Sequence, residues 1–311
     1  MVTNYVEKGL EAVEKQLETV VESEVELLQD AGLHIITSGG KRLRPRLGIL
    51  AYLATGNTDY DAVVPMAAAV EMVHTATLVH DDINDHSLTR RGKATIHAKW
   101  GRTFALLTGD FLFTKVYEMM APYGGVYNVI MADACRKLVE GETLQAAAAK
   151  SGDMDRETYK SIISLKTASL FEASAKMAAI YGGADETVVT ALGDYAYNLG
   201  LCFQIVDDIL DIVGDPEAMG KPIGTDLAQN RGVMVSQNGG TAVAEAPAVE
   251  VDDDPIAALM AKLRDSGAVE VARLQAHEMG ERARQALVPV PDSIYKQDML
   301  DLIDLVLDRD N

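Results

Sequence analysis

Residues 62–85 read AVVPMAAAVEMVHTATLVHDDIND, a long apolar run that ends in three aspartates, Asp81, Asp82 and Asp85. Met66, Val70, Val73 and Leu78 recur at helical period. On such a helix Asp81 and Asp85 lie one turn apart on one face, with Asp82 beside them. Gathered carboxylates repel each other unless a cation offsets the charge. At an all-oxygen site the usual cation is Mg2+, which takes one or two carboxylates and leaves room for phosphate oxygens. A solvated acidic helix end would read the same way, so one cluster does not settle the matter. A second cluster, Asp207-Asp208-Ile209-Leu210-Asp211, has the same spacing and also follows an apolar run, Leu199 to Val206. Two unrelated solvated faces rarely share both features.

The remaining chain supports a helical reading. It has 311 residues, of which 48% are hydrophobic and only 5% aromatic. The core must therefore be built from aliphatic side chains, and strand-length runs of β-branched and aromatic residues are few. Periodic segments run from about Asn4 to Asp30 with Gly32 as a stop, then through Leu47–Ala54, Phe104–Met120, Tyr127–Ala149, Asp155–Tyr181 and Asp185 to the second cluster. Two more cover Ile256–Leu287 and Ser293–Leu307. The expected fold is an all-α, single-domain bundle of about ten or more helices around a central cavity. It occupies residues 1–311, with a flexible insertion at about 235–255, where Ser, Gly, Ala, Pro and Asp252-Asp253-Asp254 replace the periodicity.

A net charge of −19 repels nucleic acid and anionic lipid, so neither is an expected partner. The acidic excess with few lysines is similar to the composition of proteins from salt-loving archaea. Cys135 and Cys202 sit in apolar surroundings without metal-ligand neighbours and read as free thiols of a reducing compartment. No basic-then-apolar leader opens the sequence, and the apolar run at 62–80 is interrupted by Glu71 and His74. A cytoplasmic protein without a transmembrane segment is expected.

In so acidic a chain, local cation clusters point to anion binding. Lys41-Arg42-Leu43-Arg44-Pro45-Arg46 follows Ser38-Gly39-Gly40, and Pro45 fits a first helical turn, where free N–H groups add to the attraction. Arg90-Arg91-Gly92 follows the first aspartates, and Lys166-Thr167 lies inside a later helix. These cations either neutralise the aspartates or hold phosphate groups near a metal. His74 alone reads as a core or groove residue. Two metal-binding clusters, cations and an apolar pocket together suit departure of diphosphate from an allylic carbon, with water excluded from the resulting carbocation.

The ordered set Gly39-Gly40-Lys41-Arg42-Leu43-Arg44-Pro45, His74 through Asp85, Arg90-Arg91-Gly92, Gly109-Asp110, Lys166-Thr167, Phe203 through Asp208 with Asp211, and Gly220-Lys221 with Gly224, Asp226 and Leu227 closely resembles the trans-type polyprenyl diphosphate synthases. The resemblance covers about residues 30–232 and implies the isoprenoid synthase fold. It implies Mg-dependent ionisation, condensation and elimination between isopentenyl diphosphate and an allylic diphosphate, in a homodimer. By this resemblance Asp81, Asp85 and Asp207 are the main ligands of up to three Mg2+ ions, with Asp82, Asp208 and Asp211 closing the shells. Arg90, Lys166 and Lys221 grip the allylic diphosphate. Lys41, Arg44, His74 and Arg91 hold isopentenyl diphosphate, and Thr167 and Gln204 place oxygens near the developing cation.

One departure is the segment Asp226-Leu227-Ala228-Gln229-Asn230-Arg231-Gly232, where Arg231 stands in place of the family's lysine. In the family, bulk four and five positions before the first aspartate blocks the growing tail. Here those positions are Thr77 and Ala76, with Val73 a turn deeper, all small or modest. The tail is expected to pass this level and stop near Phe111, Phe113 or Tyr117, giving an all-trans product of about twenty carbons or longer. Ala76→Phe should then shorten it. A class I terpene cyclase and a non-catalytic subunit of a heteromeric synthase are the alternatives. The cations at 41–44 and the two full aspartate clusters argue against them.

Overall fold

The computed structural model describes residues 5–152, 154–213 and 267–310. The expected insertion at 235–255 and the expected site residues Lys221 and Arg231 lie outside them. Within them the protein is helical, apart from a two-stranded hairpin.

The centre is helix α4 (Val64–Asn84), apolar on nearly every face. A helix apolar all round belongs inside a core or a membrane. This one is long and apolar enough for either, and 78% of its apolar window is buried inside the protein. Contrary to expectation Glu71 does not interrupt the run, because it is buried and its charge is met by Arg42. Around α4 pack α1 (Tyr5–Val20), α3 (Leu43–Ala54), α6 (Arg102–Met120) and α9 (Ser169–Tyr181), with the short helices α2 (Glu26–Ile36) and α5 (Ile96–Trp100) at the periphery. A second long core helix, α10 (Glu186–Val213), packs on α9 and on α11 (Ala268–Ala286), and α12 (Ile294–Leu307) closes the bundle against α3 and α10.

Three local features differ from the sequence-based expectation. The first helix is two helices. The chain breaks at Val21–Val25, where the Ser23 hydroxyl accepts from the Val25 amide and the Gln29 side chain accepts from the Ser23 amide, offering the backbone an alternative to the helix. Gly32 is inside α2 and not at its end. It allows close contact with Val21, whose Cβ would lie 3.0 Å from an added Cβ. Finally, Asp155–Tyr181 is not one regular helix. After α8 (Arg156–Ile163) the chain winds a π-helical turn over Ser164–Ala168 before α9 begins. Such turns occur frequently at functional sites.

The hairpin pairs Thr89–Arg90 (β1) with Lys93–Ala94 (β2). Arg91 and Gly92 have φ of 50° and 74°, the left-handed pair that a two-residue turn needs to match strand twist. Glycine takes this at little cost, and Arg91 is held there by the turn.

Candidate active site

A cavity of about 580 Å³ opens between α3, α4, α7 (Gly125–Ser151), α8, the π turn, α9 and α10. Helix α4 contributes Glu71, His74, Thr77, Leu78 and Asp81, and the residue that caps its C-terminus is Asp85; they recur every three or four residues along one face. Facing them from α10 are Phe203, Gln204, Asp207 and Asp208. The hairpin supplies Arg90 and Arg91, the start of α3 supplies Lys41 and Arg44, and the π turn supplies Lys166 and Thr167. Sequence elements far apart in the chain are thus brought to one space.

The cations occupy two groups. Arg42, the residue before α3, has φ of 48° and is buried. Its guanidinium donates to Glu14, to Glu71 Oε1 at 2.9 Å and to the Ile36 carbonyl. This buried ion pair fixes the loop, and removing one partner of such a pair costs about 3–5 kcal/mol. Lys41 and Arg44 flank it and face the cavity. The Lys41 ammonium lies 5.6 Å from the Phe203 ring centroid and the Arg44 guanidinium 4.9 Å from that of Phe171. Burial, with Arg91 adding repulsion, lowers Arg44 to about 10, so it stays charged at neutral pH. Its Nε is buried without a hydrogen-bond partner. A charged donor in that state favours an incoming anion. His74 is held well below its ordinary range by burial and then by Arg44, Arg91, Arg90 and Arg42, so it faces the same part of the cavity as a neutral ring.

The second group lies beside the aspartates. Lys166 reaches Asp81 at 3.5 Å, Glu142 at closer range and Gln145 at 2.9 Å. Arg90 is bound to Asp82, with Nε and Nη2 each 2.8 Å from Oδ1. Burial first, then Glu142 and Asp85 against the pull of Lys166, raises Asp81 to about 6. Hard oxygen donors gathered at one place suit a hard divalent cation. Among the described residues no three carboxylate, imidazole or thiol side chains converge tightly enough to form a cage on their own. That fits Mg2+, which leaves much of its shell to phosphate oxygens and water.

The structure does not bring every expected residue to the cavity. Asp82 is only 2% exposed and turned to Arg90, because a helix rotates about 100° between Asp81 and its neighbour. Asp211 is likewise buried, at 1% exposed. Of the residues expected to set chain length, Val73, Ala76, Thr77 and Phe113, only Thr77 lines the cavity. Val73 and Ala76 are fully buried at other angles around α4, and Phe113 sits outside the cavity with its ring centroid 6.2 Å from that of His80. The lower wall is instead Leu138, Met154, Ile162, Ile163 and Leu170.

Other residues at the site were not singled out by the sequence. Glu71 shares the three-to-four spacing of His74 and Asp81, a signal that was present in the pattern. Glu142 and Gln145 follow Gly141, whose missing side chain lets α7 approach the π turn. Tyr159 donates to Asp208 Oδ2 at 2.5 Å, while Gln204 Nε2 donates to Asp208 Oδ1 at 2.9 Å. Arg309, on the 3-10 turn Asp308–Asp310, donates to Asp207 at 3.0 Å. No local sequence pattern marks Tyr159 or Arg309.

The polyprenyl synthetase family model matches residues 25–237. The chain is 34% identical to octaprenyl diphosphate synthase of Escherichia coli over 297 residues, covering 93% of this chain and 92% of that one. It is also 34% identical to a short chain isoprenyl diphosphate synthase of Methanothermobacter thermautotrophicus, over 96% of both chains. Its fold superposes with a TM-score of 0.87 on a polyprenyl synthase from Caulobacter crescentus solved with calcium and isoprenyl diphosphate, at 31% identity over 98% of this chain and 96% of that one. Aspartate clusters facing each other across a cavity flanked by cations agree with these matches, and the chain belongs to the polyprenyl synthetase family, as a prenyl diphosphate synthase.

Proposed function

We propose that this enzyme condenses isopentenyl diphosphate with an allylic diphosphate and releases an all-trans product of about twenty carbons or longer. The observation that carries the reading is the separation of cations into two groups on one cavity. Lys41, Arg44 and Arg91, with the neutral His74 among them, surround a place for one diphosphate, and Arg90 and Lys166 flank the aspartates where a second would lie.

Asp81 and Asp85 from α4 and Asp207 from α10 are the proposed holders of Mg2+, up to about three ions. Bound there, the metal stabilises the charge that builds on a departing diphosphate. The protein's own work is to orient both substrates and exclude water. Lys166, between Asp81 and Glu142, and Arg90, anchored on Asp82, are placed to neutralise the departing group. The oxygens of Thr167 and Gln204, hydrogen-bonded at 2.8 Å, sit by the carbon that becomes electron-poor. The apolar wall of Leu138, Ile162, Ile163 and Leu170 keeps water from the carbocation. The released diphosphate takes the proton that elimination sheds.

A cyclase has no use for a second diphosphate site, and a non-catalytic subunit has no use for both aspartate clusters. Incubation with labelled isopentenyl diphosphate, Mg2+ and dimethylallyl, geranyl, farnesyl or geranylgeranyl diphosphate tests the reading, and no elongation with any primer overturns it. We also propose a homodimer. Phe104, Leu106 and Leu107 on α6 and Val126 and Val129 on α7 are exposed apolar side chains that a second copy would cover. Light scattering at low and high salt checks this, and a monomer at every concentration would refute it.

A further inference from the structure

Asp207 and Asp208 are neighbours in sequence with different surroundings. Asp207 is exposed enough to reach the cavity and is paired with Arg309. Asp208 is 8% exposed, and each of its oxygens accepts from a neutral side chain, Oδ2 from Tyr159 and Oδ1 from Gln204. Tyr159 is itself 4% exposed. The series continues, because the Thr167 hydroxyl donates to Gln204 Oε1 at 2.8 Å. A carboxylate oxygen accepts, and the Gln204 amide turns its NH2 to Asp208. Its carbonyl oxygen is thereby aimed at Thr167 and the cavity. With a donor at Asp208's place the amide has no reason to keep that sense.

We propose that Tyr159 and Asp208 are positioning residues that fix the amide sense of Gln204, and that Asp208 serves this role and not as a metal ligand. The inference rests on the prenyl transfer proposed above. A carbonyl dipole with its negative end toward the reacting carbon lowers the charge-separated state only if it is held before the reaction begins. Gln204 and Asp208 are one turn apart on α10 and can move together. Tyr159, from α8, ties that pair to the opposite wall.

The test uses the full chain and three readouts. Steady-state rates give kcat and the KM of each substrate. Calorimetry gives Mg2+ binding in the presence of an unreactive thiolo analogue of the allylic diphosphate. Thermal melts report folding. Tyr159→Phe is expected to lower kcat about tenfold, the scale of one hydrogen bond to a charged group. Its Mg2+ binding should stay within about twofold of wild type, since no ligand is lost. Asp208→Asn should lower kcat further with the same unchanged metal binding, whereas Asp207→Asn should weaken the metal. Adding Tyr159→Phe to Gln204→Leu should cost nothing more, because the residue it positions is gone.

An Asp208→Asn variant that loses Mg2+ binding as far as Asp207→Asn does would overturn the proposal. So would a Tyr159→Phe loss that adds fully to that of Gln204→Leu. If Tyr159→Phe fails to fold, the Asp208→Asn and Gln204→Leu pair gives the same cycle. Wild-type elongation with an ineffective Tyr159→Phe sinks this inference alone. No wild-type elongation sinks the functional reading beneath it.

Discussion

Arg309 donates through Nη2 to Asp207 Oδ1 at 3.0 Å, joining the last helical turn of the described chain to the second aspartate cluster. The guanidinium also lies 5.1 Å from the Phe203 ring centroid, so Phe203 has both Arg309 and Lys41 near its faces. If Asp207 holds a divalent ion as proposed, a cation on the same carboxylate competes with that ion. Arg309→Ala should therefore lower the Mg2+ concentration at half-maximal rate, by up to about fivefold, since a partly exposed ion pair contributes roughly 1 kcal/mol or less. Initial rates across a Mg2+ titration measure it. A raised Mg2+ requirement would show that Arg309 helps assemble the site.

Among Val73, Ala76 and Thr77 only Thr77 lines the cavity, while Ala76 and Val73 are closely packed at other angles around α4. Thr77→Phe should shorten the main product by at least one isoprene unit, because the ring projects into the cavity. Ala76→Phe should also shorten it, because a tail longer than the cavity has to part the packing at that level. Chromatography of the labelled products reads both. An unchanged length in Ala76→Phe would mean that the tail does not run past Ala76.

His74 gives a pH dependence of known sign. Burial and the surrounding arginines hold it well below 6.5, so the folded protein keeps it neutral where the unfolded chain takes up a proton. The unfolded state binds the extra proton as pH falls through 6.5, and His74 then subtracts from stability. His74→Gln should lose less stability than wild type between about pH 6.5 and 5. Urea midpoints at a series of pH values check this, and identical acid limbs would rule it out.

Gly141 is where α7 meets the π turn. A Cβ there would lie 2.8 Å from the Lys166 backbone nitrogen and 2.9 Å from Leu165 Cβ. Gly141→Ala should cost about 1–3 kcal/mol of stability and lower kcat by displacing Lys166. Gly125→Ala meets no atom within 4 Å and serves as the control. Melting temperature and initial rate together decide the case, and equal behaviour of the two variants would count against a tight approach at Gly141.

The sequence alone dictates the helical architecture, because apolar side chains at period 3.6 and a scarcity of strand formers are local properties. It also determined the two aspartate clusters and the cations at 41–44 and 90–91, since their spacing within one helix or turn does not depend on the fold. Tertiary structure decided which members of each cluster face the cavity. Asp81 and Asp82 are equivalent as text, yet the packing of α4 turns one inward and the other to Arg90. It decided that the chain breaks at Val21–Val25 and winds a π turn at Lys166, where propensity gave no warning. It also decided the pairing of Tyr159 with Asp208 and of Arg309 with Asp207, at separations of 49 and 102 residues. Contacts of that kind follow from how helices pack, and helical period constrains only residues on the same helix.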